Sequence, residues 1–532
     1  MSGLSANAQA AAVAAGSAVL LMVRLLVPRV VGVADNYDGV RLMCHLGVDV
    51  RLPPRTPRLR DYVAVRYVHI PHFDCQRHAL GSIHLPTVPY RSSQLLLLYA
   101  GRMLTRVLDS PDYLDLRAVG IVCCLLIGGA VGLLYRFAGM RCRYRVVLCG
   151  AVVLTVADTV FIDYAISPFS EIASIIGLLY VVVGVLLVAG PGRRRRVAGL
   201  ALAGVAGLFF ATAKTQNVPA VLPLAAVLLA PAIPVPVTRP AWPARLDRRL
   251  RHRLTGLVTV AVLAAGAAAV SGNEDRHTAQ LTGANFVTVT LLPTSGDPQR
   301  DLAELGAPSW LADYTGSPPW CAPTKLQDSS DYKRFSRGLS HQLIGRFFLR
   351  HPGRLLPVLD RVAEYFYEPR PTATLCGPGP HGTKVMVTPH LANYAPGTAH
   401  TRGGLLDRRW APVTEALGLL RGGGLGTLLA LWLLPAGAVV ASRRRRALRG
   451  VGAVVGLLLA VAVTQFGASA FADGIDTAKH LDLAVFATAL AWVFAAVELL
   501  AAFARRRGRK AAGAEIPHAM RHSEPARGEP VG

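Results

Sequence analysis

The sequence predicts an all-α polytopic membrane protein, with about ten transmembrane helices and two large extracytoplasmic segments. Three observations carry this prediction. Hydrophobic residues make up 52% of the 532, with a mean hydropathy of +0.38, too apolar for a soluble enzyme. Apolar runs of about 17–25 residues recur, the length that crosses a hydrocarbon core of roughly 30 Å. The formal charge of +25 is gathered in arginine blocks between those runs. In a soluble chain such a charge points to nucleic acid. Here the blocks mark cytoplasmic loops, and no RNA- or DNA-binding motif accompanies them, so no nucleic-acid partner is expected.

The first transmembrane helix (residues 1–27) has its apolar run over Ala11–Val27 and stops at Pro28. It lacks an Ala-x-Ala-like cleavage site and reads as a retained helix. Arg24, near its outer end, can snorkel. The first extracytoplasmic loop, 28–117, carries the acidic stretch Asp35-Asn36-Tyr37-Asp38. It also holds an amphipathic interfacial helix over Ser92–Leu108, too short to span, with Arg102 and Arg106 among its leucines. Spans two to seven fill 118–271, at about Ala118–Tyr135, Val146–Phe161, Ile172–Ala189, Val197–Ala213, Val218–Ala232 and Leu254–Ser271. A larger extracytoplasmic segment, 272–424, precedes the last three spans within 425–503, at about Leu425–Val440, Val451–Phe466 and Leu481–Phe503. Residues 504–532 form a basic cytoplasmic tail.

Orientation follows from the loops. With a cytoplasmic N-terminus, the inside loops hold Arg141 to Arg145, Arg193 to Arg196, Arg248 to Arg253, Arg443 to Arg446 and Arg505 to Lys510. The short outside loops hold Glu171, Lys214 and Asp473 but no such block. Cys44, Cys75, Cys321 and Cys376 are then outside, where disulfides persist, and pairings of Cys44 with Cys75 and of Cys321 with Cys376 are compatible with the map.

Side chains that carry chemistry collect on that outer side. Asp35 and Asp38, at i and i+3, place two carboxylates on one side of a helical turn. Such a pair can hold a divalent metal or supply a general base; ordinary loop acids and helix caps are the commoner use. Glu171 opens a span after Ser167 and Ser170, as a helix-terminal acid or as a poorly solvated functional carboxylate. Lys214, Gln216 and Asn217 offer several donors at one turn, where a phosphate can sit, although snorkelling is the usual role of such a lysine. Asp476, Lys479 and His480, with Asp473 and Asp482, repeat the theme before the last span. His69, His72, Cys75, His78 and His84 match no standard zinc spacing and read as loop residues. The string Gly377-Pro378-Gly379-Pro380-His381-Gly382 follows no predicted strand and reads as a turn. Trp310, Tyr314, Trp320 and Tyr332 serve either as sugar platforms or as core aromatics.

Taken together, the ensemble resembles the GT-C glycosyltransferases, integral-membrane enzymes that take sugar from a polyprenyl-phosphate carrier, and more narrowly the bacterial glycan-biosynthesis hexose transferase group. The stretches that carry the resemblance are Asp35 to Arg41, Tyr164 to Glu171, Ala213 to Gln216, Thr477 to Leu481, Leu292 to Pro308 and His351 to Arg354. The resemblance implies Asp35 or Asp38 as base, with Glu171 assisting the acceptor or a metal. It implies Arg41, Tyr164, Lys214, Gln216, Asn217, Asp476, Lys479 and His480 as substrate-binding residues. It further implies a polyprenyl-phosphate sugar donor, a glycan or lipid acceptor, membrane lipid around the protein, and an extracytoplasmic active site in a bacterial plasma membrane. No cofactor is required beyond an optional divalent metal. A multi-pass transporter or a non-catalytic glycan-assembly partner is the alternative, and a polar site at the bilayer midplane would favour transport.

Overall fold

The computed structural model describes residues 5–28, 30–33, 39–50, 66–69, 91–229, 248–271, 276–369, 375–378, 384–387, 393–394, 410–442, 449–472 and 474–514. Helices stand at all ten expected spans. They are α1 (Ala6–Leu26), α3 (Leu116–Phe137), α4 (Cys142–Val156), α5 (Glu171–Val188), α6 (Arg193–Ala211), α7 (Val221–Leu229), α8 (Arg248–Ser271), α9 (Gly424–Ser442), α10 (Arg449–Ala470) and α11 (Thr477–Ala514); α2 (Gln94–Leu108) is the interfacial candidate.

Six of these are long and apolar enough to cross a membrane: α1, α3, α5, α9, α10 and α11. A seventh span is α4 taken with Thr159–Ile166, bent by 65° at the break between them. Among the described residues the expected count of ten therefore comes down to six or seven by length and composition. The apolar stretches Thr215–Leu229 and Gly256–Val270 are shorter, and α6 begins with Arg193 to Arg196 inside the helix rather than ahead of it.

Small residues set the closest helix contacts. A side chain at Gly128 or Gly132 of α3 would strike the Ala14 or Ala10 carbonyl of α1, so this small-xxx-small face lets the two backbones touch. Without a hydrophobic drive between helices in lipid, that contact is dispersion over the full interface. Gly177 and Gly184 of α5 meet Phe210 and Ala203 of α6 in the same way.

The arginine ends share one end of the bundle. Arg136 at the end of α3 donates to Asn7 at the start of α1 at 3.1 Å, and Arg195 of α6 donates to the Phe137 carbonyl at 3.0 Å. Gly450, at the start of α10, lies against Ala189. The alternation of charge read from the loops is thus the alternation of helix ends in space; Arg443 to Arg446 lie outside the described residues.

At the opposite end, α2 packs one face on α3, with Leu97, Leu98 and Arg102 buried and Leu96, Met103 and Val107 exposed. Ser92 and Ser93 pin its start, donating to the Ala213 and Phe209 carbonyls at 2.6 Å each. Arg102 turns inward to the Leu46 carbonyl and His69. His69 itself ends the middle strand of an antiparallel sheet ordered Val48–Val50, Arg66–His69, Tyr113–Asp115. The remaining members of the histidine run lie outside the described residues.

The larger outer segment has its own apolar cluster, built from Phe286, Leu302, Leu311, Phe335, Phe347 and Val358. Trp310 stacks edge-on against Tyr314 and tilted against Tyr332, at 5.8 and 5.7 Å between ring centroids. Burial pushes the Tyr332 phenol up to about 12. Of the two uses open to these aromatics, packing is the one seen. Cys321 and Cys376 form a disulfide. Cys44 is also disulfide-bonded, and its expected partner Cys75 lies outside the described residues. Leu375–Pro378 pairs antiparallel with Lys384–Val387, so Gly377 and Pro378 belong to a strand, and the rest of the glycine-proline string lies outside the described residues. Gly32–Val33 pairs with Asn393–Tyr394 and joins the two outer segments.

Candidate active site

Four stretches bring polar side chains together at the end of the bundle away from the arginines. Glu171 is the first residue of α5, and Lys214 lies just past the end of α6. Ser469 and Gln465 stand on the last turns of α10, while Lys479, His480 and Asp482 stand on the first turns of α11. Helix ends supply both the exposed N–H groups and the change of chain direction that let distant residues meet here.

Lys214 is the hub. Its Nζ lies 2.8 Å from the Glu171 Oε1 and 3.0 Å from the His480 Nδ1, joining residues 43 and 266 positions apart. The pair is largely shielded, with side-chain exposures of 19% for Lys214 and 7% for Glu171. An ammonium only donates, whereas the Gln216 Oε1, 3.2 Å from the same Nδ1, only accepts. The Lys214 contact needs Nδ1 to accept and the Gln216 contact needs it to donate, so the ring's tautomer decides which of the two is made. His480 serves as a hydrogen-bonding group between Lys214 and Gln216.

Gln216 locks the turn, its Nε2 donating to the Ser469 Oγ and the His480 carbonyl at 2.6 Å each. Asn217 is buried and both of its donors are used inside the bundle, on the Ser174 Oγ and the Phe210 carbonyl at 2.8 Å. It positions the Lys214 turn. Lys479 is 4% exposed; it sits 4.4 Å over the Phe169 ring and 3.8 Å from Asp476. Asp476 has φ of 51°, the left-handed region a non-glycine residue seldom adopts, and its carbonyl accepts the His480 N–H. That turn follows Gly474, packed against Thr290.

Asp158 and Asp163 take part without any signal picked out from sequence, while Arg24 and Tyr164 sit in surroundings the sequence did not indicate. Arg24 turns inward to Asp163 at 3.5 Å and donates to the Ala157 carbonyl at 3.2 Å, so it does not snorkel. The helix interior supplies an acid partner, and pairing there replaces reach to the headgroups. Asp158, at the break after α4, caps two helices: it accepts from Val160 N–H and from the N–H groups of Val413 and Thr414. Tyr164 is fully buried with its hydroxyl facing Asp482 of α11. Acids within or beside an apolar run are the signal that identifies these positions.

Asp35 and Asp38 lie outside the described residues. Their flanks are described: Gly32 lies so close to the Ile166 carbonyl that a side chain would collide with it, and Val40–Met43, which includes Arg41, forms a short helix. Among the described residues no group of three His, Cys, Asp or Glu side chains is arranged to hold a metal.

This helix-end cluster with its arginine-marked opposite face coincides with a family match over residues 4–376. The chain belongs to the YfdI N-terminal transmembrane domain family. The family is GT-C-like and of membrane glycosyltransferase type, which bears out the broader resemblance but does not extend to the hexose transferase group. The matched region includes Glu171, Lys214 and Gln216; Lys479, His480 and Asp482 lie beyond it. No curated protein and no solved structure matches the chain.

Proposed function

We propose that the protein is an inverting hexosyltransferase of the cell envelope, moving a hexose from a polyprenyl-phosphate carrier to a hydroxyl of a glycan or lipid acceptor at the extracytoplasmic face of a bacterial plasma membrane. The observation that carries this reading is the convergence of Lys214, Gln216, Lys479 and His480 beside Glu171 at helix ends on one face. A lipid-linked phosphate is delivered at that depth, and a site at helix ends suits it better than the midplane site a transporter needs.

In the proposed reaction the acceptor oxygen attacks the anomeric carbon while the bond from that carbon to the phosphate oxygen breaks. The proton of the acceptor hydroxyl goes to Asp35 or Asp38, and polyprenyl phosphate departs. Charge grows on the leaving phosphate, so cations already in place favour the transition state over the ground state. Lys214 and Lys479 supply them, with His480 as a further hydrogen-bonding group. Glu171 holds Lys214 in position until the phosphate competes for it.

The test is transfer by purified protein given a panel of polyprenyl-phosphate hexoses and a hydroxyl acceptor. Formation of a glycosidic product with inverted configuration is expected, lost in Asp35→Asn or Asp38→Asn but not equally in both. No product from any donor, or full activity in the double Asn variant, overturns the proposal.

A further inference from the structure

One acid at the site takes part in none of the contacts above. Asp482 is 1% exposed, and neither carboxylate oxygen has a hydrogen bond of normal geometry among the described residues. The Tyr164 hydroxyl, on a fully buried ring, faces this carboxylate as its hydrogen-bonding neighbour, although the contact falls short of normal geometry. Native proteins satisfy nearly all such groups, so a buried carboxylate and phenol that have only each other, and at imperfect geometry, call for an explanation.

The surroundings supply one. Lys479 stands three residues before Asp482 on the same helix, a spacing that puts the two side chains on one face. Lys479 nonetheless lies over the Phe169 ring and towards Asp476. Lys214, also within electrostatic reach of Asp482, is held by Glu171 and His480. The carboxylate is thus beside two cations and bonded to neither. Tyr164 and Phe169 meet edge-on at 6.1 Å, so the tyrosine, the phenylalanine under Lys479, and Asp482 form one continuous wall.

We infer that Asp482 and Tyr164 form a hydroxyl-reading subsite for the hexose, next to the lysines that hold the phosphate. This rests on the function proposed above and adds the part of the donor that those cations do not recognise. A carboxylate offers acceptors for two hydroxyl hydrogens, and a phenol both gives and takes a hydrogen bond. A sugar ring supplies hydroxyls of both kinds. A site built to hydrogen-bond a hydroxyl discriminates strongly against ligands lacking it, because its buried groups are then left unpaired.

The experiment compares two probes on the purified full-length protein, polyprenyl phosphate and polyprenyl-phospho-hexose, by equilibrium binding. Wild type binds the sugar-bearing carrier about tenfold more tightly than the bare one. Asp482→Asn and Tyr164→Phe each reduce that preference to about twofold or less, while binding of bare carrier stays within about twofold of wild type. Lys214→Ala weakens both probes alike. If the Asp482 or Tyr164 variants lower both affinities equally, or lower neither, their role is structural and the inference is overturned with the function intact. A wild type that binds the two carriers equally also overturns it. If wild type binds neither probe, the proposed function fails and the inference with it. Thermal melts identify any variant that does not fold, and Tyr164→Phe, which removes a single oxygen, decides the matter should Asp482→Asn be one of them.

Discussion

The helix-end cluster and the outer segment use the same residue types to opposite effect. In the cluster, Glu171, Lys214, Lys479, His480 and Asp482 come from two helix ends and one turn, are mostly shielded from solvent, and include a carboxylate whose only hydrogen-bonding neighbour, the Tyr164 phenol, is imperfectly placed. In the outer segment, Arg354 donates to the Asp301 carboxylate at 2.6 Å and to the Thr294 carbonyl at 2.5 Å, and Ser295 donates to the same Asp301 oxygen. His351 and Glu304 pair beside them at 2.5 Å. This second set joins two stretches of one segment, and its carboxylates are engaged. Charged pairs close to each other are therefore no guide to chemistry on their own. What separates the cluster from the clasp is a buried carboxylate, Asp482, with no hydrogen bond of normal geometry, where Asp301 and Glu304 are both bonded.

The comparison breaks first at Lys214. Lys214→Ala is expected to lower transfer per folded molecule by at least about 100-fold, the usual loss when a preorganised charge donor is removed from a transition state. It also leaves Glu171 without its partner in a shielded place, so a lower melting temperature accompanies the loss. Normalising activity to folded protein separates the two effects. Normal transfer in the folded fraction would make Lys214 a clasp like Arg354.

Arg354→Ala should show the reverse pattern. It removes charge-assisted bonds to Asp301 and the Thr294 carbonyl, a loss of about 2 kcal/mol. The melting temperature falls, while the preference between bare and sugar-bearing carrier is retained. Loss of that preference at unchanged stability would move the clasp into the site.

The residues meeting at the cluster were legible in sequence wherever they bordered a helix end whose sidedness the arginine blocks had set. Glu171, Lys214, Gln216 and His480 qualify and meet, and Lys479 qualifies and lies over Phe169 towards Asp476. Asp482 reads in sequence as one more charge of the turn before the last span, whereas α11 starts at Thr477 and carries Asp482 into its second turn. Asp158 and Asp163 were hidden by the bend after α4. No proline or glycine marks it, and its cause is the capping of two helices by Asp158, a contact made with residues some 255 positions away. The count of spans was overread for a related reason. Hydropathy windows do not register that α6 keeps four arginines within its first turn or that α7 is short. The clasp was legible only as two familiar-looking stretches; that they touch is a matter of tertiary packing.

The smallest effect, and the finest test of the comparison, concerns Glu304. The hydrogen bond from His351 holds its carboxyl below the usual range, with Arg300 adding to the effect. An acid whose folded value is depressed contributes stability in full above its unfolded value, here near 4.5, and loses it as pH falls through the folded value. The group is at the surface, so the contribution is modest and screened by salt. Melting wild type against Glu304→Gln should therefore show a small difference in favour of wild type at pH 6 that narrows as pH drops below about 4.5 and disappears in stronger acid. Raising salt at pH 6 should shrink it as well. A difference that persists unchanged into acid would mean that the pair acts through packing and not through charge. Glu304 would then no longer mark the contrast between an ionic clasp open to solvent and the shielded cluster at the helix ends.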